Sequence, residues 1–173
     1  MAAEARLRAE RSNWRKERPP LFVAKPKAKA DGTSDLFNWE IKVPAAEKSV
    51  WYPAFISGTM SFSTDYPQKP PKVKFDLIDG KPLFHPNVYR DGGVCLSIIN
   101  PENSTHGYGK GGDWEPTLTI KHVMEALQVF LDEATGLAAG RNEEYQLWKN
   151  DRAEFNRRVK LQVAKCEEQP SGP

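Results

Sequence analysis

At 173 residues the chain is long enough for one domain with a proper core and too short for two of ordinary size. Its 39% hydrophobic and 28% charged residues suit a globular protein; no apolar run reaches the roughly 18 residues of a membrane span, and the N-terminal MAAEARLRAERSNWRK lacks the apolar stretch of a secretion signal. Net charge is only +2 but uneven, with nine basic side chains in residues 1–30 against Glu4, Glu10 and Glu17, which points either to an acidic partner at one end of the molecule or to a plain solvated helix face.

In chain order, residues 3–17 read as a helix stopped by Pro19-Pro20, with Leu7 and Trp14 on one face. LFVAKP (21–26), LFNWEIKVP (36–44), AFISGTMSF (54–62) and Lys72–Phe75 read as four strands, the first two separated by the turn signal Asp31-Gly32-Thr33. In the third, Phe55, Thr59 and Ser61 alternate only imperfectly with Ile56, Met60 and Phe62. No helix separates these strands, so an antiparallel meander is the simplest topology. From Ile78 to Pro116 the sequence is rich in Gly, Pro, Asn and Asp and shows little regular structure, and a connection that long is usually functional.

A helix follows on Ile120, Val123, Met124, Leu127, Phe130 and Leu131, with Thr117 or Thr119 as its cap. Tyr145 and Trp148 indicate a short helix; Phe155, Val159 and Val163 indicate a last one. The expected fold class is α+β: an N-terminal helix, a four-stranded antiparallel meander sheet, a long loop and C-terminal helices. It is expected as a single domain over 1–173, with a core at about 4–165 and a frayed tail at 166–173.

The long loop contains HPNVYRDGGVCLS, residues 85–97, with one of only two cysteines. Without a secretion signal the expected compartment is the nucleus and cytoplasm, where thiols stay reduced, and Cys95 and Cys166 are not expected to pair. None of His85, His106 and His122 stands in a cysteine-protease signature, and zinc ligation by Cys95 lacks any paired spacing. The glycines 107, 109 and 112 match GxGxxG, but no strand precedes them. What remains is a thiol that accepts an acyl group and hands it on without its own base. A thioester is already activated toward amines, so the protein need supply only geometry and an oxyanion donor, for which the Asn87 amide is suited. The alternative, a small buried hydrophobe, is weakened by the turn residues around Cys95, which argue for exposure.

His85-Pro86-Asn87 followed by Cys95-Leu96-Ser97-Ile98 resembles the active-site signature of the ubiquitin-like protein conjugating enzymes. Tyr66-Pro67, Pro70-Pro71 and Trp114-x-Pro116 fit the same pattern, and the resemblance runs from about Arg6 to about Val163. The N-terminal third is similar to the SUMO-conjugating branch, through Glu10-Arg11, Trp14-Arg15-Lys16, Phe22-Val23-Ala24, Asp31-Gly32-Thr33, Asn38-Trp39-Glu40 and Trp51.

This resemblance implies a transferase of the SUMO pathway, which is ATP-dependent through its activating enzyme, and no metal or organic cofactor. Cys95 would carry the modifier's C-terminal glycine as a thioester. Asn87 would stabilise the oxyanion or hold the loop, and Tyr89 would line the groove that receives the substrate lysine. Lys72 and Lys74 match a strand that reads an acidic residue near that lysine. Arg11, Arg15 and Lys16 match the helix that meets the activating enzyme and SUMO. Pro67 and Pro116 match loops that ligases contact, or are plain turn prolines. The implied partners are SUMO, its activating enzyme, its ligases and lysine-bearing substrates; direct nucleic-acid or membrane binding is not expected. Cys166 is expected to be inert.

The sequence also departs from the family. Leu137-Ala138-Ala139-Gly140 stands where an Asp-Pro normally positions the lysine, and Asp91 and Gly93 replace two small hydroxyl residues. Asp91 is therefore expected to take over lysine orientation. The stretch between Cys95 and Trp114 is longer than usual, LIDGK (77–81) is a smaller insertion, and Trp51-Tyr52-Pro53-Ala54 replaces a Trp-x-Gly-Gly. Three other readings stay open: the same chemistry with ubiquitin or another modifier, a non-catalytic modifier-binding variant of the fold, and, more remotely, a cysteine hydrolase.

Overall fold

The computed structural model describes residues 1–100, 112–134 and 142–171. Among these residues the element order is α1 (Ala2–Glu17), β1 (Val23–Ala28), β2 (Ser34–Pro44), β3 (Phe55–Ser61), β4 (Lys72–Phe75), α2 (Ile120–Phe130), α3 (Glu143–Asn150) and α4 (Arg152–Val163), with a 3-10 turn at Ser97–Ile99. The α+β expectation holds. The four strands form one antiparallel sheet in the order β1-β2-β3-β4.

Register follows from the period-two pattern. Ala24 pairs with Ile41, Trp39 with Met60 and Met60 with Val73, so one face collects the buried apolar side chains. Lys25, Glu40, Lys42, Thr59, Lys72 and Lys74 alternate onto the other. Gly58 is required in β3, because a Cβ there would collide with the Lys74 carbonyl on the neighbouring strand. The apolar stripe of α2, Ile120, Val123, Met124, Leu127 and Phe130, is buried in the same core as the inner sheet face. Thr119 caps this helix, its hydroxyl accepting from the His122 N–H while Nδ1 of His122 accepts from the Thr119 N–H at 3.1 Å.

Helix α1 buries Leu7 and Trp14 as expected, and also Glu10. That carboxylate accepts from Arg6 (2.7 Å), the Tyr66 hydroxyl (2.9 Å) and the Ile120 N–H (3.1 Å). It thereby satisfies an orphan donor at the start of α2. Arg6 in turn donates to the carbonyls of Pro116 and Leu118, each at 2.9 Å. Burial, then the adjacent Glu10 charge, pushes the Tyr66 phenol well above its ordinary range, so it stays a donor.

The described part of the tail, 166–171, is hydrogen-bonded to the sheet where fraying is expected. Phe55 N–H donates to the Glu167 carbonyl (2.8 Å), Gln169 N–H donates to the Pro53 carbonyl (2.8 Å), and Lys42 pairs with Glu167. The segment thus satisfies backbone groups at the start of β3 that local sequence patterning does not reveal. This also accounts for the imperfect alternation of β3: Phe55 points away from Ile56 yet is buried, beside the tail. The LIDGK insertion forms a tight hairpin, with Asp79 and Gly80 both at positive φ, and Asp79 pairs with Lys165 beyond α4. Among the described residues no helix is long and apolar enough to cross a membrane.

Candidate active site

The HPN segment is held from three sides. The Phe84 N–H donates to the Gln162 side chain on α4 at 2.8 Å. The Asn142 amide at the start of α3 donates to the Pro86 carbonyl at 2.8 Å. Between them the His85 ring stacks on Phe130 of α2 at 4.2 Å between centroids and donates from Nε2 to the Phe130 carbonyl at 2.7 Å. Its Nδ1 accepts the Asn87 N–H at 3.0 Å, which fixes the tautomer. Burial lowers the His85 pKa to about 4, so the ring is neutral at physiological pH and both bonds persist.

Asn87 is itself only 2% exposed, and its carbonyl accepts the Cys95 N–H at 2.9 Å. Tyr89 N–H donates to Gly93 O (2.8 Å), and Val94 N–H donates to Val73 O (3.1 Å). Residues 92–94 therefore lie along β4 almost as a fifth strand. Gly92 makes this possible: its φ is +89°, and a Cβ would collide with the Phe75 carbonyl.

Among the described residues, two side chains interact with the sulfur. The Tyr89 phenol interacts with the Cys95 thiol, and that interaction, with partial burial, pushes the phenol up to about 12. The Asn100 amide donates to Sγ at 3.8 Å. Cys95 is 4% exposed, contrary to the exposure expected from its turn-rich neighbours. Those residues do form turns, but the turns fold back onto β4 and enclose the thiol. Tyr89, at 47% exposed, stands at the surface beside it.

Next to the thiol lies a groove of about 610 Å³, lined by Tyr89, Asp91, Asn100, Val94, Lys72 and Lys74 among others. Asp91 uses both oxygens: Oδ1 accepts the Gly93 N–H at 2.9 Å, and Oδ2 pairs with Lys74 at 3.0 Å. These bonds hold its carboxyl below the ordinary carboxylate range. Cys95, Asn87, Tyr89, Asp91, Lys72 and Lys74 thus converge on one region.

Arg11, Arg15 and Lys16 lie apart from it on α1, Arg15 and Lys16 exposed and Arg11 half-buried against Ser34 at 3.4 Å. Pro67 and Pro116 occupy neighbouring loops joined by Trp114, whose indole N–H donates to the Pro67 carbonyl at 2.8 Å. Cys166 is half-buried, and burial raises its pKa, as suits an unreactive thiol. The Leu137–Gly140 departure, His106 and the insert between 101 and 111 lie outside the described residues. Among the described residues no three of His, Cys, Asp and Glu gather as a metal site would require.

A free cysteine held by the Asn87 carbonyl, with an amide donor on its sulfur, a phenol beside it and an open groove, fits acyl transfer better than hydrolysis, since His85 is buried and neutral. The family model of the ubiquitin-conjugating enzyme matches residues 6–163. The chain belongs to the ubiquitin-conjugating enzyme family. Three relatives similar to it are named for SUMO conjugation. The SUMO-conjugating enzyme UBC9 of Caenorhabditis elegans is 40% identical over 163 residues, covering 94% of this chain and 90% of that protein. SCE1 of Arabidopsis thaliana is 41% identical over 160 residues, 92% of each chain. The ubc9 protein of Dictyostelium discoideum is 37% identical over 160 residues, again 92% of each.

The sequence marks His85 as part of the His-Pro-Asn signature, and as a base or zinc ligand that its surroundings do not support, but not as the loop's anchor, and it does not mark Asn100 at all. The signal for His85 was its place two residues before Asn87. Asn100 carried none, because its approach to Cys95 depends on the turn at Ser97–Ile99.

Proposed function

We infer that this ubiquitin-conjugating family member conjugates SUMO, through a thioester on Cys95. The observation that carries the reading is the buried Cys95 and Asn87 with Tyr89 at the surface beside them, in a chain about 40% identical over nearly its whole length to SUMO-conjugating enzymes. In the charging step the Cys95 sulfur attacks the modifier's thioester on the activating enzyme. A bond forms from Sγ to the glycine carbonyl carbon, and the activating enzyme's cysteine leaves as a thiol. In the second step a substrate lysine attacks the same carbon, an isopeptide bond forms, and Cys95 is released.

Asn87 is the proposed donor to the oxyanion or the holder of its loop; its burial and its anchoring by His85 supply the preorganisation either role needs. The lysine ammonium, ordinarily near pKa 10.4, must lose a proton, and a partly desolvated groove walled by Tyr89 lowers that pKa. Tyr89 itself, pushed up to about 12, remains a neutral donor. Asp91 is the proposed partner for the lysine, which would exchange with Lys74. Lys72 and Lys74 would read an acidic neighbour of the target. Arg11, Arg15 and Lys16 would meet the activating enzyme and SUMO, and the loops of Pro67 and Pro116 would meet ligases. The direct test offers SUMO and ubiquitin separately, each with ATP and its activating enzyme. A reducible adduct with SUMO alone is expected; an adduct with ubiquitin alone would refute the choice of modifier.

A further inference from the structure

We propose that Asn100 is a catalytic residue, donating from its side-chain amide to the Cys95 sulfur and stabilising it as a thiolate. The proposal rests on the acyl-transfer reading above and assigns a further group to that site.

Three observations carry it. Asn100 Nδ2 lies 3.8 Å from Sγ, within the range of a hydrogen bond to sulfur. Asn100 also lines the groove that opens beside Tyr89, so one residue touches both the sulfur and the groove. Its backbone is fixed in turn: Asn100 N–H donates to the Ser97 carbonyl at 3.2 Å, and Asp113 N–H donates to the same oxygen at 3.0 Å. Gly112 packs so closely on the Asn100 carbonyl that a Cβ there would collide with it. The two ends of the 101–111 segment are thus clamped together, and the clamp aims the Asn100 amide at the thiol.

The chemistry follows from which atom is touched. The thiolate is the nucleophile of the charging step and the leaving group of the discharge step. A donor on sulfur raises the share of thiolate available to attack in the charging step, and it lowers the barrier of discharge, where Sγ gains negative charge as its bond to carbon breaks. A donor on the carbonyl oxygen, the role proposed for Asn87, stabilises the tetrahedral intermediate but does nothing for the thiol of the uncharged protein. Asn100 therefore has a signature in the absence of any modifier.

The experiment measures Cys95 alkylation by iodoacetamide against pH, in a Cys166→Ser background, for the unaltered site, Asn100→Ala and the near-isosteric Asn100→Asp. Loss of a hydrogen bond to a charged group is expected to slow alkylation at neutral pH roughly three- to tenfold in Asn100→Ala. It should be slower still in Asn100→Asp, where a carboxylate faces the sulfur, and the gap should narrow toward alkaline pH as every thiol ionises. Enlarged access in the alanine variant would act in the opposite direction. Gly112→Ala, which does not touch the sulfur, is expected to reproduce the defect, with little further loss when combined with Asn100→Ala. Charging and discharge with SUMO should both slow. Equal alkylation profiles in all variants, or slowed discharge with normal charging and alkylation, would overturn the assignment. The predicted alkylation order without any SUMO adduct would uphold Asn100 as the sulfur's donor and refute the modifier reading instead.

Discussion

The Asn87 N–H donates to Nδ1 of His85 at 3.0 Å, and the histidine's other nitrogen is spent on the Phe130 carbonyl of α2. The residue at the heart of the active-site loop is thus tied to the helical layer through a ring that must stay neutral. With its folded pKa lowered to about 4 against 6.5 unfolded, His85 leaves the unfolded chain binding more protons between those values. Stability is therefore unaffected above about pH 6.5 and falls as pH drops toward 4. The loss from this group should reach about 2 kcal/mol at pH 5. Urea denaturation at pH 7.5 and pH 5 checks it. His85→Gln should begin less stable and lack this component of the pH slope; an unchanged slope would assign the acid sensitivity elsewhere.

Lys74 and Asp91 pair at 3.0 Å on the wall of the groove, both largely exposed. Exposed pairs are weak and exchange readily, so an incoming ammonium can compete for Asp91. Asp91→Ala should slow single-turnover transfer from the charged protein to lysine by roughly two- to fivefold at low salt, and less at high salt. Charging should be unaffected. Transfer as fast as in the unaltered protein would reduce Asp91 to a staple for the Gly93 turn.

Glu10 joins α1, the Tyr66 loop and the first turn of α2 through one buried carboxylate. Glu10→Ala leaves the Tyr66 hydroxyl and the Ile120 N–H without this acceptor and should cost about 3 kcal/mol. Tyr66→Phe removes one bond of the set and should cost about 1 kcal/mol. Chemical denaturation of both variants tests the ordering, and equal losses would contradict it.

Gly92 combines positive φ with contact against the Phe75 carbonyl. Gly92→Ala should destabilise the fold by about 1–3 kcal/mol. Because Gly92 sets the approach of 92–94 to β4, it should also slow charging more than Asp91→Ala does. A variant as stable and as active as the unaltered protein would contradict the strand-like docking of this loop.

The strands and helices were legible because their patterns are local. β4 was read over its observed span, β2 and β3 within two residues, and β1 two residues early, since Leu21 and Phe22 are as apolar as a strand start but Leu21 adopts positive φ. The Cys95–Asn87 spacing and Tyr89 were legible through the motif. The burial of Cys95 was not, because it arises from Val94 meeting Val73 and Gly92 meeting Phe75, contacts about twenty residues apart in sequence. Glu10 read as one charge among many on α1; its partners lie 56 and 110 residues away. The pinned tail depends likewise on pairing with the start of β3, and its own sequence, rich in Glu, Gln and Pro, gives no sign of it.

Cys95 is proposed to carry the modifier as an acyl group. Intact-mass measurement after incubation with SUMO, its activating enzyme and ATP tests it most directly. The expected adduct is one SUMO less one water, lost on treatment with dithiothreitol, absent in Cys95→Ala and retained as a reductant-stable ester in Cys95→Ser. A SUMO adduct that forms equally in Cys95→Ala, or no adduct at all with an activating enzyme shown to be loaded, would contradict it.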